Sequence, residues 1–109
     1  MTLRCDVLVV GGGPAGSSCA RALVQAGLVA VVLDRRTFPR DKVCAGWITP
    51  PVLACLGVDP ADYARERVLQ PVHGFAVSRL GAPAARVDYG EPVSWGIRRC
   101  ELDHYLLAR

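Results

Sequence analysis

A glycine-rich stretch near the amino end of the chain constrains the fold more than any other part of the sequence. Two continuous apolar runs flank it, at residues 7–10 and 29–33, and such runs are typical of parallel strands that are buried on both faces. Between the runs stands the pattern G-x-G-x-x-G, formed by Gly11, Gly13 and Gly16. This order of strand, glycine-rich turn, helix and strand predicts a β-α-β unit and therefore an α/β fold.

The three glycines of this pattern have different expected roles. Gly11 permits a tight turn out of the first strand, Gly13 lets the backbone approach a pyrophosphate, and Gly16 lets the helix pack closely on the sheet. The helix is predicted to begin around Pro14, since proline suits a position whose N–H would have no partner within the helix. The unpaired N–H groups and the dipole at this helix end favour a bound anion.

An acidic residue completes the pattern. Asp34 follows Gly16 by 18 positions, so we expect it at the carboxyl end of the second strand, where a carboxylate can accept hydrogen bonds from ribose hydroxyls. Together these features predict a Rossmann-like dinucleotide-binding unit. The alternative is an ordinary β-α-β unit whose glycines serve packing alone, and that alternative gives Asp34 no role.

The length and charge of the chain limit the other possibilities. A chain of 109 residues holds fewer strands than a complete doubly wound fold requires, so we expect residues 1–109 to be the amino-terminal part of such a domain, incomplete and without a substrate domain. The formal charge of +3 comes from scattered arginines, so nucleic acid is not an expected partner. No apolar run approaches the length of a membrane span. We expect a cytoplasmic protein, and peripheral association with a membrane surface stays open.

The five cysteines predict neither a disulfide framework nor a metal site. They are odd in number and widely spaced, and the sequence contains no C-x-x-C pair. Reduced thiols are the expected state.

The rest of the chain alternates between loop signals and short regular elements. Gly27 is placed to end the first helix, and Thr49 and Gly57 are placed to begin and end another. The predicted elements are a loop over 35–47, a helix over 50–56, a turn or short helix over 59–64, strands over 72–79, 85–89 and 92–97, and a helix over 101–109.

Three blocks of sequence resemble FAD-dependent oxidoreductases with the p-hydroxybenzoate hydroxylase-type fold, and within them the geranylgeranyl reductase family. The first is DVLVVGGGPAGSSCARAL at 6–23, with Asp34 and Arg35. The second is FPRDKVCAGWITPPVL at 38–53, and the third is GIRRCELDHYLLAR at 96–109, which is similar to the R-x-x-F-D-x-x-L segment of the family. The blocks span nearly the whole chain.

The resemblance implies roles for individual positions. The glycines of the first block, with Pro14 and Ala15 between them, would face the FAD pyrophosphate, Asp34 the adenosine ribose and Arg35 the adenine side. Arg99 would also contact FAD, and Cys44 matches the cysteine that lies beside the flavin in this family. The family usually has a glycine directly after that cysteine, whereas this chain has Ala45 and then Gly46.

Several of these residues also have plainer interpretations. Cys44 could be a buried small apolar residue, and Arg99 could form a surface ion pair with Asp103, itself a stabilising charge in the first turn of the last helix. Arg40 and Lys42 could attract a phosphate or simply belong to a solvated charged loop.

The resemblance also implies an activity. It predicts an enzyme that reduces carbon–carbon double bonds of an isoprenoid-type, lipid-like small molecule, with an external electron donor that re-reduces the flavin. The rival hypotheses are a monooxygenase or halogenase on the same fold, an NAD-dependent dehydrogenase, and a non-enzymatic nucleotide-binding module or inactive truncated product.

Overall fold

A computed structural model describes all 109 residues, which form two compact units. The first unit is built from both ends of the chain, Met1–Val43 and Arg99–Arg109, and the second is Cys44–Arg98. The elements in chain order are β1 (Val7–Val10), α1 (Pro14–Gln25), β2 (Ala30–Leu33), β3 (Trp47–Ile48), α2 (Pro50–Leu56), α3 (Pro60–Tyr63), β4 (Leu69–Val72), β5 (Gly74–Val77), β6 (Ala85–Asp88), β7 (Ser94–Ile97) and α4 (Arg99–Ala108).

The first unit contains the predicted β-α-β arrangement. Strands β1 and β2 pair in parallel, from Val7 opposite Ala30 to Val10 opposite Leu33. Helix α1 connects them, and α4 packs against α1. The α/β, Rossmann-like character of the fold is therefore confirmed for this part of the chain.

Gly27 ends α1 as predicted. Its φ of 84° is left-handed, its N–H donates to the Val24 carbonyl at 3.0 Å, and the N–H of Leu28 donates to the Leu23 carbonyl at 3.0 Å. This pair of hydrogen bonds satisfies carbonyl groups that the helix itself leaves without partners. Gly57, with φ 63°, ends α2 in the same conformation.

Gly16 sets how closely α1 approaches the glycine-rich turn. A Cβ atom at this position would lie 1.7 Å from the carbonyl oxygen of Gly11 and 3.4 Å from Cγ1 of Val9. Only a residue without a side chain fits there, so the predicted packing role of Gly16 has a direct physical basis.

The prediction that both strands are buried on both faces was wrong for β1. Its side chains alternate, since Val7 and Val9 are half-buried whereas Leu8 and Val10 are 53% and 81% exposed. The reason is that α1 covers the face to which Val9 points, and the side chains of a strand point alternately to opposite faces. Leu33 at the end of β2 is also 50% exposed.

The second unit consists of short antiparallel strands and two short helices. Strand β7 lies between β3 and β4, and β5 pairs with β6 as a separate two-stranded sheet. The buried apolar residues of this unit are Leu53, Val58, Tyr63 and Ile97.

The predicted strand boundaries in this unit need correction. Trp47 lies in β3 rather than in a loop, because it pairs with Gly96 of β7. The strand predicted over 72–79 corresponds to β5, and its first residue, Val72, instead ends the separate strand β4. The predicted strands over 85–89 and 92–97 are β6 and β7, each shorter than predicted. In the first unit, the last helix begins at Arg99, two residues earlier than predicted.

Candidate functional site

The candidate site begins where β1 ends at the glycine-rich turn. Gly11 has a φ of 104°, which disfavours a residue with a side chain, and its N–H donates to the Leu33 carbonyl at 2.7 Å. The turn is thus tied to the end of β2, and it directs the backbone into α1. The predicted tight turn at Gly11 is therefore confirmed.

The amino end of α1 is open to an incoming ligand. Gly13 is the N-cap residue, no side chain caps the helix, and Pro14 follows as the first helical residue. A Cβ atom at Gly13 would have only one neighbour within 4 Å, Nη2 of Arg40 at 3.7 Å. The N–H groups at this helix end and the nearby guanidinium are therefore suited to an anion.

Asp34 joins the end of β2 to the glycine-rich turn. Its Oδ2 accepts a hydrogen bond from the N–H of Gly12 at 2.8 Å, and its Oδ1 accepts one from the N–H of Arg36 at 2.8 Å. These two donors, Gly12 first, hold the pKa of Asp34 below its ordinary value, so the carboxylate is charged at neutral pH. Each oxygen keeps further acceptor capacity toward a ribose hydroxyl.

A cavity of about 530 Å³ connects these groups. Four of the residues that the sequence assigned to the cofactor line it together, namely Gly11, Gly13, Asp34 and Arg35. Further lining residues come from the end of β2 and the loop after it, and they include Arg36, Arg40 and Lys42. A carboxylate at one place and an excess of basic groups beside a helix end fit the ribose and the phosphates of a dinucleotide.

A buried ion cluster lies beside this cavity, and the sequence did not predict it. Asp103 has a fully buried side chain whose Oδ2 accepts from Nη1 of Arg40 at 2.5 Å and whose Oδ1 accepts from Nε of Arg99 at 2.7 Å. The alternative interpretation of Arg99 as the partner of Asp103 in an ion pair is therefore met, but the pair does not lie on the surface, because the Asp103 side chain is fully buried. Asp103 also does not lie in the first turn of α4 as predicted, because that helix begins at Arg99, four residues before it.

Gly12 and Phe38 are further residues that sequence reasoning missed. Gly12 is buried, and a Cβ atom there would lie 3.2 Å from Cζ of the Phe38 ring. The guanidinium of Arg40 stacks over the same ring, with 4.5 Å from Cζ of the arginine to the ring centroid. The run of three successive glycines was the signal that could have drawn attention to Gly12.

Comparison with known proteins decides the family. Residues 6–93 match the family described as FAD dependent oxidoreductase. The chain belongs to this family. The match covers β1, the glycine-rich turn, Asp34 and most of the second unit, so it includes the fold and the cavity described above.

The proteins similar to this chain include both reductases and halogenases. A menaquinone reductase of Mycobacterium tuberculosis is 40% identical over 107 residues, which is 90% of this chain and 24% of that protein. A flavin-dependent halogenase of Armillaria mellea is 50% identical over 110 residues, which is 96% of this chain and 22% of that protein. The chain thus spans about a quarter of the length of these relatives.

A solved structure supports the same assignment. A geranylgeranyl bacteriochlorophyll reductase-like protein from Thermoplasma acidophilum superposes with a TM-score of 0.79 at 27% identity, over 95% of this chain and 27% of that one. The sequence-based resemblance to a geranylgeranyl reductase-like flavoprotein is confirmed by this likeness.

The predicted catalytic residue belongs to the second unit. Cys44 is exposed, and its Sγ accepts a hydrogen bond from the N–H of Gly46 at 3.4 Å. The alternative of a buried apolar thiol is therefore wrong, whereas a position beside the flavin stays a prediction. Trp47, 53% exposed, contacts Phe75 edge to face, with ring centroids 6.0 Å apart.

Two findings concern the chain as a whole. The structure contains no disulfide. None of its helices combines the length and the apolar character that crossing a bilayer would require.

Proposed function

We propose that the protein is an FAD-dependent reductase of carbon–carbon double bonds in an isoprenoid-type substrate. The proposed FAD binding rests on the hydrogen bond from the N–H of Gly12 to Asp34, because this bond fixes a charged carboxylate beside the open amino end of α1. The substrate part is supported by the likeness to a menaquinone reductase over 90% of this chain. Menaquinones are quinones with an isoprenoid chain, which agrees with a lipid-like substrate.

We assign the cofactor contacts to residues of the first unit. The backbone at Gly11, Gly13, Pro14 and Ala15 would face the pyrophosphate, and Gly16 would keep α1 close enough to present its N–H groups. The remaining assigned contacts are Asp34 to the ribose, Arg35 to the adenine side, and Arg99 to FAD from the start of α4.

The chemistry itself would be divided between cofactor and protein. When bound, FAD supplies the hydride for reduction of the double bond. The chain's own residues would bind and orient the cofactor and the substrate. We propose Cys44 as a proton donor or as a residue that orients the substrate, because its thiol is exposed and its Sγ accepts a hydrogen bond from the N–H of Gly46. An external electron donor would then be required for the next turnover.

We also propose a cytoplasmic location with peripheral contact to a membrane surface. An isoprenoid substrate is held mainly in lipid, so an enzyme acting on it needs access to that phase.

Anaerobic turnover tests this proposal. The purified protein should carry flavin absorbance, and with a chemical reductant it should add two hydrogen atoms to one double bond in the side chain of an isoprenoid quinone. The mass is measured after the quinone ring has been reoxidised, so that reduction of the ring to the quinol is not counted. A protein that binds FAD but leaves every double bond of isoprenoid quinones and geranylgeranyl compounds intact would contradict it.

A halogenase is the second candidate, favoured by the 50% identity to the Armillaria mellea enzyme. It requires oxygen and a halide, whereas the proposed reductase requires neither. Consumption of oxygen that depends on both an aromatic acceptor and chloride or bromide would favour the halogenase.

A further inference from the structure

We propose that Asp103 is a positioning residue for the cofactor, because it holds the Arg40 guanidinium against the glycine-rich turn where that guanidinium binds the pyrophosphate. This inference rests on the proposed FAD binding. It concerns two residues to which the family resemblance assigned no role in the site.

The first step is the burial of the carboxylate. Asp103 is 0% exposed, and the Arg40 side chain bonded to it is only 12% exposed. A buried charge is tolerated only when paired and hydrogen-bonded, and here each carboxylate oxygen has its own guanidinium partner. The rotamer of Arg40 is therefore restricted from one side by Asp103.

The second step is a further contact made by the same guanidinium. Arg40 stacks over the Phe38 ring at 4.5 Å, and the edge of that ring lies 3.2 Å from the position of a Cβ on Gly12. The ring thus rests against the glycine-rich turn itself. Between Asp103 and Phe38, the guanidinium has little freedom to leave the turn.

The third step is the position of Nη2, the nitrogen of Arg40 that Asp103 does not bind. Asp103 engages Nη1 of Arg40, whereas Nη2 lies 3.7 Å from where a Cβ of Gly13 would stand. Arginine presents its donors in a rigid fork, so fixing one nitrogen also fixes the other. Nη2 is consequently held close to the helix end where an anion is favoured.

The direction of the change in anion affinity on removal of Asp103 tests the inference. Two guanidinium groups and one carboxylate leave one net positive charge in the cluster. If Asp103 only neutralised charge, its removal would strengthen anion binding. If Asp103 positions Arg40, its removal weakens anion binding even though the site becomes more positive.

The experiment compares Asp103→Asn, Arg40→Gln and Arg40→Lys with the unaltered protein. FAD affinity is measured by quenching of flavin fluorescence, and ADP and adenosine are measured as competitors of FAD. We expect Asp103→Asn and Arg40→Gln each to weaken the binding of FAD and of ADP by about tenfold, the usual effect of losing one charge-assisted hydrogen bond. Adenosine affinity should change by less than about twofold, because adenosine has no phosphate.

Arg36→Gln is the matched control. Arg36 lines the same cavity and is exposed, and its bond to Asp34 uses the backbone N–H, which the substitution keeps. It removes the same charge from the same cavity, and we expect at most about a threefold loss. The Arg40→Lys variant keeps the charge but loses the fork, so it should recover only a small part of the affinity.

The outcomes separate this inference from the proposed function. Tighter FAD binding by Asp103→Asn, or equal losses in Arg36→Gln and Arg40→Gln, would overturn the inference. Equal losses of ADP and adenosine binding would also overturn it, because that pattern is expected of a merely structural role.

If Asp103→Asn fails to fold, Arg40→Lys provides the test. A loss of ADP affinity in Arg40→Lys without a loss of adenosine affinity supports the inference, and unchanged ADP affinity overturns it. Absence of substrate reduction by a protein that binds FAD would contradict the reductase alone.

Discussion

The contact between Gly16 and the glycine-rich turn gives a prediction whose size follows from the geometry. Replacing Gly16 with alanine places a Cβ atom 1.7 Å from the Gly11 carbonyl oxygen, whereas ordinary contacts begin at 3.4 Å. The helix and the turn must therefore separate by about 1.7 Å, the difference between these two values. Neither partner is a flexible side-chain end, because the obstacle is a backbone carbonyl.

The expected cost is set by two opposing terms. Alanine favours a helix over glycine by roughly 0.5–1 kcal/mol. Overpacking that side chains can relax costs about 1–3 kcal/mol, and a backbone clash belongs at or above the upper end of this range. We expect Gly16→Ala to lower the free energy of unfolding by about 2 kcal/mol or more, a large part of the stability of a typical domain.

Urea unfolding of the apoprotein, followed by circular dichroism, measures this effect. Gly13→Ala is the matched control, since its Cβ would meet nothing closer than 3.7 Å, and it should cost less than about 1 kcal/mol. Gly12→Ala should fall between the two, because the Phe38 ring at 3.2 Å can give way slightly. A Gly16→Ala protein as stable as the unaltered one would refute the packing argument.

Four further predictions concern the site. Asp34→Ala should weaken FAD binding by roughly tenfold or more, since it removes a charge-assisted hydrogen bond; unchanged affinity by fluorescence titration would exclude the ribose contact. Gly13→Val should yield folded apoprotein without flavin absorbance, because a branched side chain fills the anion position; full flavin occupancy would argue against that position. Cys44→Ser should keep the flavin but change the rate or product of substrate reduction, and equal turnover would leave Cys44 without a catalytic role. Because backbone N–H groups hold the pKa of Asp34 below 3.8, the stability that the ionised carboxylate contributes should persist above that pH. This contribution should decline as the pH falls through the lowered pKa. A titration midpoint of the Asp34 carboxyl carbon at or above pH 3.8, measured by carbon-13 NMR, would contradict the lowered pKa.

The parts of the structure that sequence predicted well depend on local signals. The turn from β1 into α1 needs glycine at neighbouring positions, and Gly27 and Gly57 end their helices through hydrogen bonds to residues within one turn. Such signals can be read without knowing the rest of the fold. Asp34 was also predictable, because its spacing from the glycines reflects one connecting helix.

The parts that sequence did not predict depend on distant partners. β3 contains only two residues, and it is a strand because Trp47 pairs with Gly96 of β7. The burial of Asp103 depends on Arg40, which is 63 positions away. No periodicity within α4 distinguishes a carboxylate facing water from one enclosed by two guanidinium groups.

The discontinuous first unit has a consequence for the order of events during synthesis. Strands β1 and β2 and helix α1 can form as soon as they leave the ribosome, since their contacts are close in sequence. The bond from Arg40 to Asp103 must instead close a loop of 63 residues, at an entropic cost of about 4 kcal/mol, and it cannot form before α4 is translated. Uptake of the flavin by a growing polypeptide is therefore expected to wait for α4, although the glycine-rich turn is among the first segments made.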